Sequence, residues 1–182
     1  MSSSAAANVP SDAAPARTVV HKFGGTSVAD ADRYRHVATL LRAREETLQV
    51  TVVSAMKGVT DALIELAQAA GADAPEWRGR WQLLRERHHE AAGSLLGEGA
   101  GPLLEWLDQR FEELLRVLQA LGVIGSLPEE VLQRVQGLGE VYSARLLGEY
   151  LCALGEDCAV LDAREVLVVS HGELGVDVDW ER

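Results

Sequence analysis

Twice early in the chain an apolar, β-rich run ends in a glycine-bearing turn with a lysine, and a helical pattern follows. The first is Thr18–Phe23 running into Gly24-Gly25, the second Gln49–Ala55 running into Met56-Lys57-Gly58. Two strands separated by one helix cannot close as a tight hairpin. They pair in parallel through a crossover, and crossovers are right-handed. Both turns then lie at the carboxyl edge of one sheet, where open α/β sheets bind ligands. The repeated pattern therefore predicts an α/β fold and the edge on which a site would be built.

The flanking signals agree. Ser27 with Asp30 reads as a helix start, and Tyr34, Val37, Ala38 and Leu41 follow at helical spacing. A second helix is expected near Thr60 through Leu63, Leu66, Ala67 and Ala70. The valine-rich run at Gln49–Ala55 predicts a central parallel strand covered on both faces. In the middle, Trp77, Trp81, Leu84, His88, Ala91 and Leu95 alternate steps of four and three. Leu104, Leu107, Phe111, Leu114, Leu118 and Leu121 do the same after "GEGAGP", which predicts a helical hairpin with a zipper-like seam. Ser126 with Glu129 reads as a further helix start, and the pattern continues to about Leu154 with a break near Gly137–Gly139. "DCAVLDA" (Asp157–Ala163) reads as a third strand, and Glu165–Arg182 as a short apolar strand, a glycine turn and an acidic end.

Composition excludes several classes. With 182 residues the chain suits one domain, read as 18–182 after a disordered lead-in at 1–17. The lead-in has neither the basic start nor the apolar stretch of a secretory signal. No stretch reaches the roughly 18 apolar residues of a membrane span. A net charge of −11 argues against nucleic-acid binding, which needs a basic surface. Cys152 and Cys158 match neither zinc spacing nor a redox CxxC motif, and read as core thiols of a cytoplasmic protein. His88 and His89 point different ways on a helix and read as packing or surface residues rather than metal ligands. His171, in its glycine turn, reads as structural.

The lysines are two in number, Lys22 and Lys57, and both lie in these turns. Gly24 and Gly25 would expose backbone N–H groups without a Cβ in the way. A helix start behind them would add unpaired N–H groups and a positive dipole end, the elements of an anion site. Lys22 would add a full charge, and Thr26 and Ser27 short hydroxyls. From spacing alone, an ordinary glycine turn beside a snorkelling lysine fits equally well.

The string "KFGGTSV" resembles the opening of aspartate kinases in the amino-acid kinase superfamily. "VVSAMKGVTD" (Val52–Asp61), "GLGEVYSARLL" (Gly137–Leu147) and "LDAREVL" (Leu161–Leu167) resemble three later segments of that family, in its order. The resemblance covers roughly Val19 to Asp179. It implies a three-layer α/β/α sandwich with a mainly parallel sheet, flanked by the helical hairpin. It implies transfer of the γ-phosphoryl of ATP, with Mg2+, to the β-carboxylate of L-aspartate, the first step of lysine, threonine and methionine synthesis. Lys22 would be the catalytic cation, with Phe23, Gly24, Gly25 and Ser27 beside the phosphates. Ser54 and Thr60 would bind aspartate, although each hydroxyl fits a turn cap as well. Glu140 would pair with the α-amino group, although a solvated helix glutamate is the commoner case. Lys57 fits a phosphate contact or a plain surface turn.

After "DAREVL" the chain departs from the family, with Ser170-His171-Gly172 and Leu174-Gly175 in place of a Thr-Asp/Asn-Asp run and an aromatic-Gly pair. The family's Arg-x-Gly-Gly-Ser-Asp loop, nucleotide-binding half and regulatory domains have no counterpart. The expectation is an amino-acid-binding part of a kinase domain, inactive alone and prone to form homo-oligomers or to self-associate. Its parent could be monofunctional or fused to homoserine dehydrogenase or diaminopimelate decarboxylase. The alternatives are a superfamily kinase of glutamate, UMP or carbamate, and a non-catalytic binding piece.

Overall fold

The computed structural model describes residues 18–44, 48–172 and 175–179. The N-terminal lead-in and the tip of the last glycine turn lie outside them. Strands β1 (Thr18–Phe23) and β2 (Leu48–Val53) form a parallel ladder that aligns Lys22 with Val52 and Phe23 with Val53. Helix α1 (Ala31–Arg42) makes the crossover between them. The ladder continues one residue further, where Ser54 N–H donates to Phe23 O at 3.0 Å. Both strands therefore stop at one level, and their turns emerge side by side.

The helix start differs in detail from the sequence expectation. Residues Gly25–Val28 form a 3-10 turn, and the cap of α1 is Asp30, whose carboxylate accepts the Arg33 N–H at 2.9 Å. Ser27 sits inside the 3-10 turn and spends its N–H on Gly24 O at 2.8 Å. Asp30, read from the sequence as the acidic residue three positions after a Ser27 cap, is itself the cap, because its side chain reaches the orphan N–H three residues on. Ser126 likewise does not cap α5 (Glu129–Gln136), because Pro128 occupies that position. Its fixed φ suits an extended entry to a helix.

Helices α2 (Val59–Gly71), α3 (Trp77–Leu96), α4 (Gly101–Ile124) and α6 (Leu138–Ala153) build one apolar core. The α3–α4 hairpin closes as expected, with Trp77, Leu84, Ala91 and Leu95 facing Leu107, Phe111, Leu114, Leu118 and Leu121. His88 is fully buried in this seam. Its Nδ1 lies 2.7 Å from Leu84 O, and its ring stands 5.3 Å from those of Phe111 and Tyr142.

Helices cover one face of the sheet, where Gln49 Nε2 donates to Leu41 O at 3.2 Å and β2 meets α6. The other face is open: Val20 is 66% exposed, Leu48 54% and Val52 50%. The expectation that β2 is covered on both faces is thus not met among the described residues. A valine run states that a strand can be buried on both sides, not what buries it. The expected strand at Asp157–Ala163 is also absent, since 156–162 is irregular. This segment lies along α6, with Val160 against Gly148, and no strand pairs with it. Beyond the short helix α7 (Ala163–Val166), β3 (Val168–Gly172) and β4 (Gly175–Asp179) form an antiparallel hairpin, so the acidic end holds a second strand. No helix among the described residues is long and apolar enough to cross a membrane.

Candidate functional site

The carboxyl edge of the β1–β2 ladder gathers most of the residues singled out from the sequence. Lys22 is exposed on the open side of β1, and its ammonium folds back over the turn. Its Nζ lies 3.6 Å from where a Cβ of Gly24 would stand. The bare turn and the cation therefore share one small volume. The helix dipole does not reach it as expected, because α1 begins at Ala31 with acidic residues at Asp30 and Asp32. Lys22 and the backbone of the turn are the positive elements.

Gly25 has a second reason to be glycine. A Cβ there would lie 2.9 Å from Ala55 O and 3.6 Å from Lys57 Cα. The second turn occupies the place of the missing side chain. The two turns are thus in direct backbone contact.

Ala55 is the meeting point, a residue the sequence reading passed over. Its carbonyl lies against Gly25, and its N–H donates to Glu140 Oε1 at 3.3 Å. Its Cβ fills the space over Gly139, where an added Cβ would come within 2.7 Å of it and 3.0 Å of Val59 Cγ1. Gly139 thus makes room for the turn, and Ser143 is fully buried with its hydroxyl 2.7 Å from that of Tyr34. Burial pushes the Tyr34 hydroxyl above its ordinary range, so it stays protonated and can serve as the donor of this pair. Glu140, half-buried, is held at the edge of both turns.

Ser54 is half-buried at the end of β2, beside Ala55. Thr60 stands in the first turn of α2, after Gly58 in a left-handed conformation at φ 77°. Phe23 is half-buried and packs on the core. Lys57 is exposed, and its carbonyl accepts the Arg87 Nη2 at 2.8 Å. The same nitrogen donates to Ala29 O at 3.3 Å, so Arg87 of α3 ties the two turns from behind. No sequence motif marks it. A guanidinium that bridges two carbonyls is visible only once the helices are placed. Among the described residues no group of three or more His, Cys, Asp and Glu side chains could hold a metal ion.

One substitution tests this packing without touching a polar group. Gly139→Ala is expected to cost about 1–3 kcal/mol, the usual penalty for forcing extra volume into a filled contact. Urea unfolding followed by circular dichroism measures it. An unchanged midpoint would show that α6 is not seated on Ala55.

Residues 17–180 match the family model described as the amino acid kinase family. The chain is 34% identical over 151 residues to a chloroplastic bifunctional aspartokinase/homoserine dehydrogenase of Arabidopsis thaliana, an alignment covering 82% of the chain and 17% of that protein. It is 29% identical to an aspartokinase of Chlamydia muridarum, across 88% of the chain and 33% of the relative. Its structure superposes on E. coli aspartokinase III, solved in complex with aspartate and ADP, with a TM-score of 0.73. That match is at 24% identity and covers 83% of this chain and 32% of that one. The chain thus spans from about a sixth to a third of the length of these relatives.

Proposed function

The chain belongs to the amino acid kinase family, and from that premise we propose that it supplies the aspartate-binding and γ-phosphate-binding edge of an aspartate kinase. The observation that carries this reading is the arrangement around Ala55. The bare glycine turn, with the Lys22 ammonium over it, rests against the carbonyl of this alanine, and a carboxylate on α6 accepts its N–H.

Phosphoryl transfer to a carboxylate requires positioning and positive charge more than covalent help. Bound ATP, accompanied by Mg2+, would supply the transferable phosphoryl group. Lys22 would sit against the charge that develops on it, with the Gly24 and Gly25 backbone and Ser27 beside the phosphates. Ser54 and Thr60 would orient the aspartate carboxylates with their hydroxyls. Glu140 would receive the α-ammonium group on Oε2 while Oε1 keeps the Ala55 N–H. The nucleotide-closing parts, the Mg2+ ligands and the partner for the α-carboxylate are expected from elsewhere in a kinase of the relatives' length. We place it in amino-acid biosynthesis, in the cytoplasm, and in a homo-oligomer or self-associating state, the last supported by the open apolar face of the sheet at Val20, Val50 and Val52.

Titration calorimetry with L-aspartate and with ATP and Mg2+ tests the reading. Aspartate is expected to bind in preference to glutamate. Glu140→Gln should weaken it about tenfold or more, the loss of a charged hydrogen-bond partner. Indifference of aspartate binding to that change would overturn the assignment and favour a non-catalytic piece. Light scattering of the same samples reports association, and a monodisperse monomer would remove that part of the proposal.

A further inference from the structure

The two cysteines, expected in the core, lie at the surface end of α6. Cys152 is exposed and Cys158 half-buried, and both thiols are free. What brings them together is the way α6 ends. Gly155 takes the left-handed conformation at φ 88°. Glu156 N–H donates to Leu151 O at 3.1 Å and Gly155 N–H to Cys152 O at 3.0 Å. This pair of bonds is the glycine-terminated helix end that turns a chain back on itself.

The returning segment then lies on α6. A Cβ at Gly148 would overlap Val160 Cγ2, so the glycine gives the segment its seat. Cys158 Sγ comes to 3.4 Å from Gly148 O and to 3.1 Å from Cys152 Sγ. A disulfide needs the sulfurs at about 2.05 Å. Residues 156–162, in no strand or helix, can move the remaining distance without breaking a ladder.

We propose that Cys152 and Cys158 form an oxidisable dithiol, a modification site that takes a low-molecular-weight disulfide as its oxidant and closes into an intramolecular disulfide. The exposed Cys152, as thiolate, attacks one sulfur of the small disulfide and expels the first small thiolate, leaving a mixed disulfide. Cys158 gives up its proton and attacks the Cys152 sulfur, and the second small thiolate leaves. The two protons released by the protein go to the two leaving thiolates. Two protein thiols are oxidised and one small disulfide is reduced to two thiols. Burial and the neighbouring Cys152 push the Cys158 thiol up to about 12, so Cys158 keeps its proton and leaves the first attack to the exposed Cys152. Neither step depends on the kinase reading.

The test uses the reduced chain in glutathione buffers of graded composition, acid-quenched, alkylated and weighed intact. The expected product is a monomer lighter by two hydrogens, with neither cysteine alkylated. Cys158→Ser should instead accumulate one glutathione adduct on Cys152. Gly148→Ala, which keeps both thiols, should lower the yield of the closed form relative to the adduct about tenfold, as should unfolding the wild type in urea. Stable glutathione adducts on the folded wild type, or equal closure in urea, would overturn the proposal.

Discussion

Lys22→Ala, introduced into a kinase that contains this segment, is expected to lower kcat by about 10²–10³ while leaving KM for aspartate nearly unchanged. That is the loss seen when one preorganised donor to a developing charge is removed. The position of the ammonium decides the partition. Nζ lies over the Gly24 turn, on the open side of the ladder. Glu140 approaches from α6 through the Ala55 N–H instead. In the proposed site the phosphates lie on this side, and a cation there acts on the transition state and not on the resting amino acid. Steady-state kinetics with a hydroxamate readout of the acyl phosphate separates the two parameters. Intact kcat with a raised KM would move Lys22 to substrate binding.

Stability should fall on mild acidification, by up to about 3 kcal/mol, through His88. The ring is fully buried against Phe111 and Tyr142. Burial, with smaller contributions from the nearby Arg87 and His89, lowers its pKa from 6.5 to about 4. The native state therefore prefers the neutral imidazole. Above pH 6.5 both states are neutral and nothing is lost. Between 6.5 and 4 the unfolded chain takes up a proton that the folded one refuses, so stability drops as pH falls, at about 1.4 kcal/mol per unit. Urea titrations from pH 4 to 8 measure the slope, and His88→Phe is expected to flatten this component. A wild-type curve parallel to that of the variant would show that the histidine charges in place.

The sequence made some of this legible. The β1–α1–β2 unit was readable because strand, glycine turn and helix each leave a local mark. The α3–α4 seam was readable because steps of three and four repeat through both helices. The third strand was misplaced because apolar residues between polar ones describe an exposed segment lying on a helix as well as a strand. Only the seat at Gly148 separates the two. The start of α1 was read three residues early, at Ser27 with Asp30, because the 3-10 turn that takes up Ser27 carries no pattern of its own. At the candidate site, the resemblance singles out Lys22, Gly24, Gly25 and Glu140, and the structure brings them to one sheet edge. The contacts of Ala55 and Arg87 were not, since they join segments distant in sequence through backbone atoms that every residue possesses.

The shared position of Ala55 also bears on how the two halves of the site communicate. Gly25 rests on its carbonyl, while its N–H is held by Glu140. A ligand that shifted the first turn would displace the residue to which the Glu140 carboxylate is bonded, with no side chain between to absorb the movement. Where binding at two such places is coupled, the coupling is reciprocal by thermodynamic necessity. Whatever factor one ligand contributes to the affinity of the other, the second returns in equal measure.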